Sequence, residues 1–126
     1  ISKSLDGLVT SWNAGAEAMF QYSAAEMIGQ PLNLLMPPDR PDEEALILAR
    51  IVRGETVEEH FETERVRKDG TRVWVSWTNR PVRDEEGRLR GVVSVGNDLT
   101  EYRRMVEALY PVVVRIVRAH LQLNRQ

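Results

Sequence analysis

Cysteine is absent from the 126 residues. That removes disulfides, thiolate nucleophiles, cysteine-ligated metals and any cysteinyl cofactor adduct, and it fits a cytoplasmic protein. Histidine is nearly absent: His60 and His120 are too far apart to form a local metal motif, and no metal site is expected. No apolar run is long enough to cross a membrane, and the chain shows no signal peptide, so no direct membrane contact is expected. A basic excess is missing as well. The formal net charge is −2, which gives no reason to expect a nucleic-acid surface. Repeats and low-complexity tracts do not occur. What remains is an ordinary globular composition, 42% hydrophobic and 29% charged, with length for one domain and its core rather than two. The chain opens at Ile1 rather than methionine, and a segment of a longer protein is expected.

The order of elements reads from turns and caps. Asp6-Gly7 is a hairpin turn between strands Ile1–Ser4 and Leu8–Trp12. Asn13 caps a helix over Ala14–Phe20. Ser23 and Glu26 have capping-box spacing for a short helix that stops at Gly29. The stretch Pro31–Pro38 reads as a single turn or an irregular connection. Pro41 suits the first position of a helix running to about Arg53 and closing at Gly54, with Asp42, Glu43 and Glu44 at its positive end. Leu46, Ala49, Ile51 and Val52 roughly mark its buried side. Three strands then follow, Val57–Arg67, Thr71–Arg83 and Arg88–Leu99, joined by turns at Lys68-Asp69-Gly70 and Asp84–Gly87. Sequential antiparallel pairing gives a five-stranded sheet with helices on one face, an α+β fold. From Thr100 the pattern turns helical. Tyr102, Met105/Val106, Leu109, Val112/Val113, Ile116, Ala119/His120 and Leu123 recur at about 3.5 residues, the coiled-coil period. Pro111 interrupts this helix and is expected to kink it or to divide it in two.

Several fragments resemble the PAS family. They are Asp6-Gly7-Leu8-Val9-Thr10-Ser11-Trp12-Asn13, Ala16-Glu17 with Phe20-Gln21-Tyr22, Glu26-Met27-Ile28-Gly29, and Arg67-Lys68-Asp69-Gly70. Pro81-Val82-Arg83-Asp84, Gly87, Gly91 and Asp98-Leu99-Thr100-Glu101 complete the match. Each is weak alone; their order and spacing over roughly residues 5–101 carry the likeness. Gln21 departs from the family's usual glycine, and Asn97 from its common basic residue. The resemblance implies a sensory domain over residues 1–101 and a linker or dimerisation helix over 102–126. It also implies an internal pocket between sheet and helices, and a junction at Asp98 and Thr100 that joins the last strand to an output helix. Either residue can cap that helix.

Strand parity puts Val73, Val75, Trp77 and Asn79 on one face and Trp74, Ser76 and Thr78 on the other. The resemblance directs the first face inward, so the pocket candidates are Phe61, Thr63, Val75, Trp77, Asn79, Ser94 and Gly96, with Arg65 and Val92 also inward. Trp77 needs a partner for its N–H and argues against a flavin-sized cavity, with Ser94 and Gly96 making room for its ring. Asn79 and Thr63 either orient a small polar ligand or serve as satisfied structural groups. On the outer face Trp74, Val66, Val93 and Val95 need cover from a helix or a second subunit.

Sharper chemistries find little support. Haem-binding relatives place a histidine on the helix before the three-strand meander, and Pro41–Arg53 has none. His60 falls at outward parity among Glu58, Glu59, Glu62 and Glu64, a run that reads as a solvated face. Non-covalent flavin lacks a recognisable motif. Ser23 is a cap rather than a nucleophile. His120 is followed by Leu121 and Gln122 rather than the acidic residue of a phospho-accepting motif, and sits on the apolar stripe. The sequence therefore leads to a non-catalytic sensor of a larger signalling protein, with a possible small-molecule ligand and a downstream effector domain. It would form a homodimer through Tyr102, Val106, Leu109, Val113, Ile116 and Leu123, with Trp74, Val93 and Val95 as further dimerisation candidates. The alternatives are a pure protein-interaction domain without ligand and the front end of a histidine-kinase transmitter.

Overall fold

The computed structural model describes residues 1–55 and 61–124. The expectations for His60, Glu58 and Glu59, and for a strand beginning at Val57, lie outside the described residues. Five antiparallel strands form one sheet: β1 (Ser2–Ser4), β2 (Val9–Ser11), β3 (Phe61–Val66), β4 (Arg72–Arg83) and β5 (Leu89–Asp98). Between β2 and β3 come α1 (Ala14–Phe20), α2 (Ala24–Met27), a 3₁₀ turn at Leu32–Leu35 and α3 (Glu43–Val52). After β5 a single helix, α4, spans Thr100–Asn124.

Local signals place these elements. Asn13 Oδ1 accepts the Ala16 N–H at 2.9 Å and starts α1. Ser23 and Glu26 close both halves of a capping box at the start of α2. Gln21 ends α1 in the left-handed region, at φ 71°. A side chain there costs backbone energy that glycine avoids. Two hydrogen bonds to Asp69 offset it: Gln21 Nε2 donates to Oδ2, and Gln21 Oε1 accepts the Asp69 N–H, each at 3.1 Å.

The strand order is β2-β1-β5-β4-β3. Sequential pairing holds for β1–β2, β3–β4 and β4–β5, but β1 also pairs with β5, Lys3 opposite Val92. The N-terminal strand is thus an inner strand, between β2 and the central β5. Inward faces follow the expected parity: Val73, Val75, Trp77, Thr63, Arg65, Val92 and Ser94 are buried, whereas Val93 and Val95 are exposed. Helices α1 and α2 press Ala16, Phe20 and Met27 onto this face, together with Leu32 and Leu35.

Two expectations about α3 fail. The helix begins at Glu43 rather than at Pro41, and Asp42 makes no side-chain cap. Its buried side is Ile47, Leu48 and Ile51, while Leu46, Ala49 and Val52 face solvent. Almost every position in this stretch is apolar, so periodicity alone leaves its rotation open. The rotation follows Glu44, one turn before Ile47 and Leu48, which points inward to cations on the sheet. Helix α4 runs unbroken through Pro111. Proline there deprives the Glu107 carbonyl of its helical donor without ending the helix.

Gly96 marks the tightest packing in the core. A Cβ there would stand 2.8 Å from Trp77 Cζ3 and 3.0 Å from Val75 Cγ1. Phe20 stacks on the other side of Trp77 at 6.0 Å between centroids and 9° between planes, so the ring cannot retreat. Gly96→Ala should therefore destabilise the domain by about 1–3 kcal/mol in urea unfolding. An unchanged unfolding midpoint would contradict this packing.

Candidate functional site

The pocket candidates converge, and the space between them is small. Thr63, Val75, Trp77 and Ser94 are buried, and Phe61, Asn79 and Gly96 are half-buried. With Leu32, Glu44, Ile47 and Arg65, the residues Phe61, Trp77, Asn79 and Ser94 line a cavity of about 10 Å³, room for about one water molecule. Asn79 Oδ1 accepts the Ser94 hydroxyl at 2.6 Å, so the amide is partnered within the sheet. Thr63 accepts from Arg40 Nη1 at 2.9 Å. The expected partner for the Trp77 indole is missing: Nε1 is buried and has no acceptor among the described residues. Trp12, by contrast, donates to the Tyr22 carbonyl at 2.8 Å.

Charge is the feature that sequence reasoning missed. Lys3 of β1 and Arg65 of β3 are buried, their side chains 1% exposed. Both meet the first turn of α3. Lys3 Nζ contacts Glu44 Oε1, Arg65 Nη1 donates to Glu43 Oε1 at 2.8 Å, and Arg65 Nη2 lies 3.6 Å from Glu44 Oε2. Arg40 stands 3.9 Å from the other Glu43 oxygen. A signal was available. An arginine at inward parity needs an anion, and Glu43-Glu44 are adjacent carboxylates at a helix start. Nothing in the sequence marks Lys3 as buried. Burial first, and the Arg65 guanidinium second, push the Lys3 ammonium down to about 8 from 10.5. Arg65 is also lowered, by burial first.

At the other end of the sheet, the junction is a clasp. Asp98 Oδ1 accepts the Thr100 N–H at 2.8 Å and caps α4. Asp98 Oδ2 lies 3.6 Å from Arg67 Nη2, whose Nε donates to the Met19 carbonyl at 3.0 Å. Of the two expected caps, Asp98 does the capping; the Thr100 hydroxyl is buried with no partner among the described residues. The Leu99 N–H donates to the Trp74 carbonyl at 2.8 Å. The Arg103 guanidinium lies 3.6 Å from the centroid of the Trp74 ring, a cation–π contact. Trp74 is thereby covered within the chain, while Val93 and Val95 stay open. Helix α4 leaves the sheet after its first turn, and Tyr102, Val106, Leu109, Val113, Ile116 and Leu123 are all exposed.

A five-stranded sheet in this order, helices on one face and an exit helix capped from the last strand define an α+β domain of the PAS type. A family model described as the PAS fold matches residues 1–99, and the chain belongs to that family. Two-component system protein A of Emericella nidulans is 36% identical over 104 residues, 81% of this chain and 15% of that protein. Biofilm dispersion protein BdlA of Pseudomonas aeruginosa is 31% identical over 106 residues, 82% of this chain and 25% of that protein. The chain therefore spans a quarter or less of the length of these relatives. Among solved structures, the PAS domain of a protein from Colwellia psychrerythraea aligns with TM-score 0.69 and 27% identity, covering 80% of this chain and 85% of that one. An RNA-binding light-oxygen-voltage receptor aligns with TM-score 0.65 and 26% identity, over 81% of this chain and 29% of that one. Among the described residues no helix is long and apolar enough to cross a membrane, and no three His, Cys, Asp or Glu gather as metal ligands.

The Lys3 shift has a consequence for stability. The folded chain releases this proton near pH 8 and the unfolded chain near 10.5. Between those values the unfolded state holds more protons, so stability rises with pH. Relative to Lys3→Met, wild type should gain about 2 kcal/mol in urea unfolding between pH 8 and 10. A difference that stays flat across that window would show that the ammonium is not held in the interior.

Proposed function

We propose that this chain is the non-catalytic sensory module of a larger signalling protein, and that it passes its state to an effector through two paired copies of α4. The observation that carries this reading is the condition of α4. It is tied to the sheet through its first turn, by the Asp98 cap and the Arg103–Trp74 contact, and it exposes eleven large apolar side chains, Tyr102 through Leu123. Such a stripe at heptad spacing is stable in water when a second helix covers it. The signalling names of the relatives support the same reading. In it the 1–101 unit senses, and the helix beyond transmits. Val93 and Val95, open on the outer face, extend the contact between copies.

A ligand would act by binding one conformation better than another. The inward set Phe61, Thr63, Val75, Trp77, Asn79, Ser94 and Gly96 is where it would be felt, because β5 carries Ser94 and Gly96 inward and ends at Asp98. The clasp of Asp98, Leu99 and Arg103 then converts a shift of β5 or Trp74 into a tilt or rotation of α4. Trp77 fills the space that a flavin ring would need, and α3 has no histidine for haem iron. The small cavity favours one second reading, a protein-interaction domain without small-molecule input. Native mass spectrometry of freshly purified protein separates the two: a bound small molecule favours the sensor, a bare mass the interaction domain.

The helix seam is tested by Leu109→Asp and Ile116→Asp. Each should weaken self-association at least about tenfold in sedimentation equilibrium, since a charge enters the buried seam. An association constant equal to wild type for either variant would remove α4 pairing from the reading.

A further inference from the structure

The buried charges under α3 are arranged unequally. Lys3 and Arg65 belong to β1 and β3, and two strands, β5 and β4, lie between them in the sheet. Both cations are fixed by the sheet and sealed from solvent. Their counter-charges are carried on a separate helix that follows a loop, and these carboxylates are less sealed: the side chains of Glu43 and Glu44 are 19% and 12% exposed. The cations ride on paired strands, whereas the carboxylates ride on the first turn of a helix outside the sheet.

Glu44 holds the centre. One of its oxygens meets Lys3 and the other faces Arg65, and its side chain borders the inner cavity beside Trp77, Asn79 and Ser94. Trp77 lines this cavity, and its indole N–H is buried with no acceptor among the described residues, although the residue is only 5% exposed. Two buried cations and an unused buried N–H donor are what a carboxylate needs, with one oxygen for each cation and a lone pair left for the indole. Glu44 already supplies that group from within the chain.

We propose that this chamber binds a small free carboxylate, which takes the place of the Glu44 carboxylate between Lys3 and Arg65 and releases the first turn of α3. The idea rests on the sensor reading and names the ligand class for it. Exchange of one carboxylate for another leaves the buried charge balanced, so the displaced state carries no uncompensated ion. The cavity is small because the tethered occupant is in place; withdrawal of Glu44 opens the volume that its carboxylate filled. A tethered group competes as if present at millimolar concentration or above, so the free carboxylate must be plentiful in wild type and less so once Glu44 is removed.

The test uses acetate against chloride at equal ionic strength, with acetamide as the neutral isostere, on wild type, Glu44→Ala and Glu44→Ala/Lys3→Met. Glu44→Ala should melt below wild type in chloride and regain about 5 °C or more in about 100 mM acetate, with no gain from acetamide or in the double variant. If Glu44→Ala does not fold, Glu44→Gln keeps the volume, removes the charge and should show the same acetate-specific gain. In wild type, acetate should speed amide hydrogen exchange at 43–47 while chloride does not. Equal responses to acetate and chloride would overturn the site. So would rescue of the variant with unchanged exchange in wild type, which would mean an engineered hole rather than a natural ligand site. If acetate fails while Leu109→Asp still breaks the dimer, the carboxylate is excluded and the relay stands.

Discussion

Lys3 and Arg65 lie on strands that do not touch, yet both are buried beneath α3, and the domain is built so that neither cation is left unpaired. A buried charge without a partner would cost several kcal/mol, a large part of the stability of a small domain. The first turn of α3 meets this constraint with Glu43 and Glu44, which also complement the helix's positive end. Once Glu44 points inward, Ile47, Leu48 and Ile51 follow it onto the sheet, and Leu46, Ala49 and Val52 turn to solvent. One rotation of the helix therefore satisfies both the buried cations and the apolar packing. The same network ties β1 and β3 across two intervening strands, so α3 acts as a strap over the inner face.

On that face, shape decides what is left for a ligand. Trp77 is stacked on Phe20 and pressed against the bare backbone of Gly96. Its ring lines the inner cavity together with Glu44 and Arg65, and its N–H is buried without an acceptor among the described residues. The interior is thus divided into an apolar half that is full and a polar half held by a carboxylate of the chain itself. Strand β5 borders this chamber through Ser94, whose hydroxyl donates to Asn79 Oδ1. Strand β5 ends at Asp98, the cap of α4, so the inner chamber and the exit helix share one continuous element.

Features that depend on neighbours in sequence are legible from the residues alone. The caps at Asn13 and Ser23, the Asp6-Gly7 and Asp69-Gly70 turns and the alternation along β4 and β5 all follow from local chemistry and period. Together with the family likeness, they yield the sheet, the inward set and the exit helix. Long-range contacts do not show in this way. Nothing in Ser2-Lys3-Ser4 signals that this short strand lies inside the sheet, between β2 and β5, because its partner β5 lies near the other end of the domain. Parity places Arg65 inward, but its anions are on a helix whose acidic residues look like dipole partners alone. Trp74 and Arg103 meet only because the chain reverses direction through β5, and so Trp74 reads as an uncovered residue seeking a second subunit. Thr100 and Asp98 are equivalent caps by sequence; geometry gives the bond to Asp98.

The proposed relay requires α4 to stand beside its counterpart from a second copy, in parallel, so that rotation set at Arg103 would be felt along the whole rod. A chain without cysteine permits a direct check, since one introduced thiol is unique. Spin labels at Arg104→Cys and, separately, at Gln122→Cys report the distance between copies near the start and near the end of the helix, positions about 27 Å apart along its axis. Parallel pairing predicts a single narrow separation below about 30 Å at both positions, as two helices roughly 10 Å apart with label linkers require. Absence of any coupling between copies at either position, with the labelled protein still folded, would contradict the account.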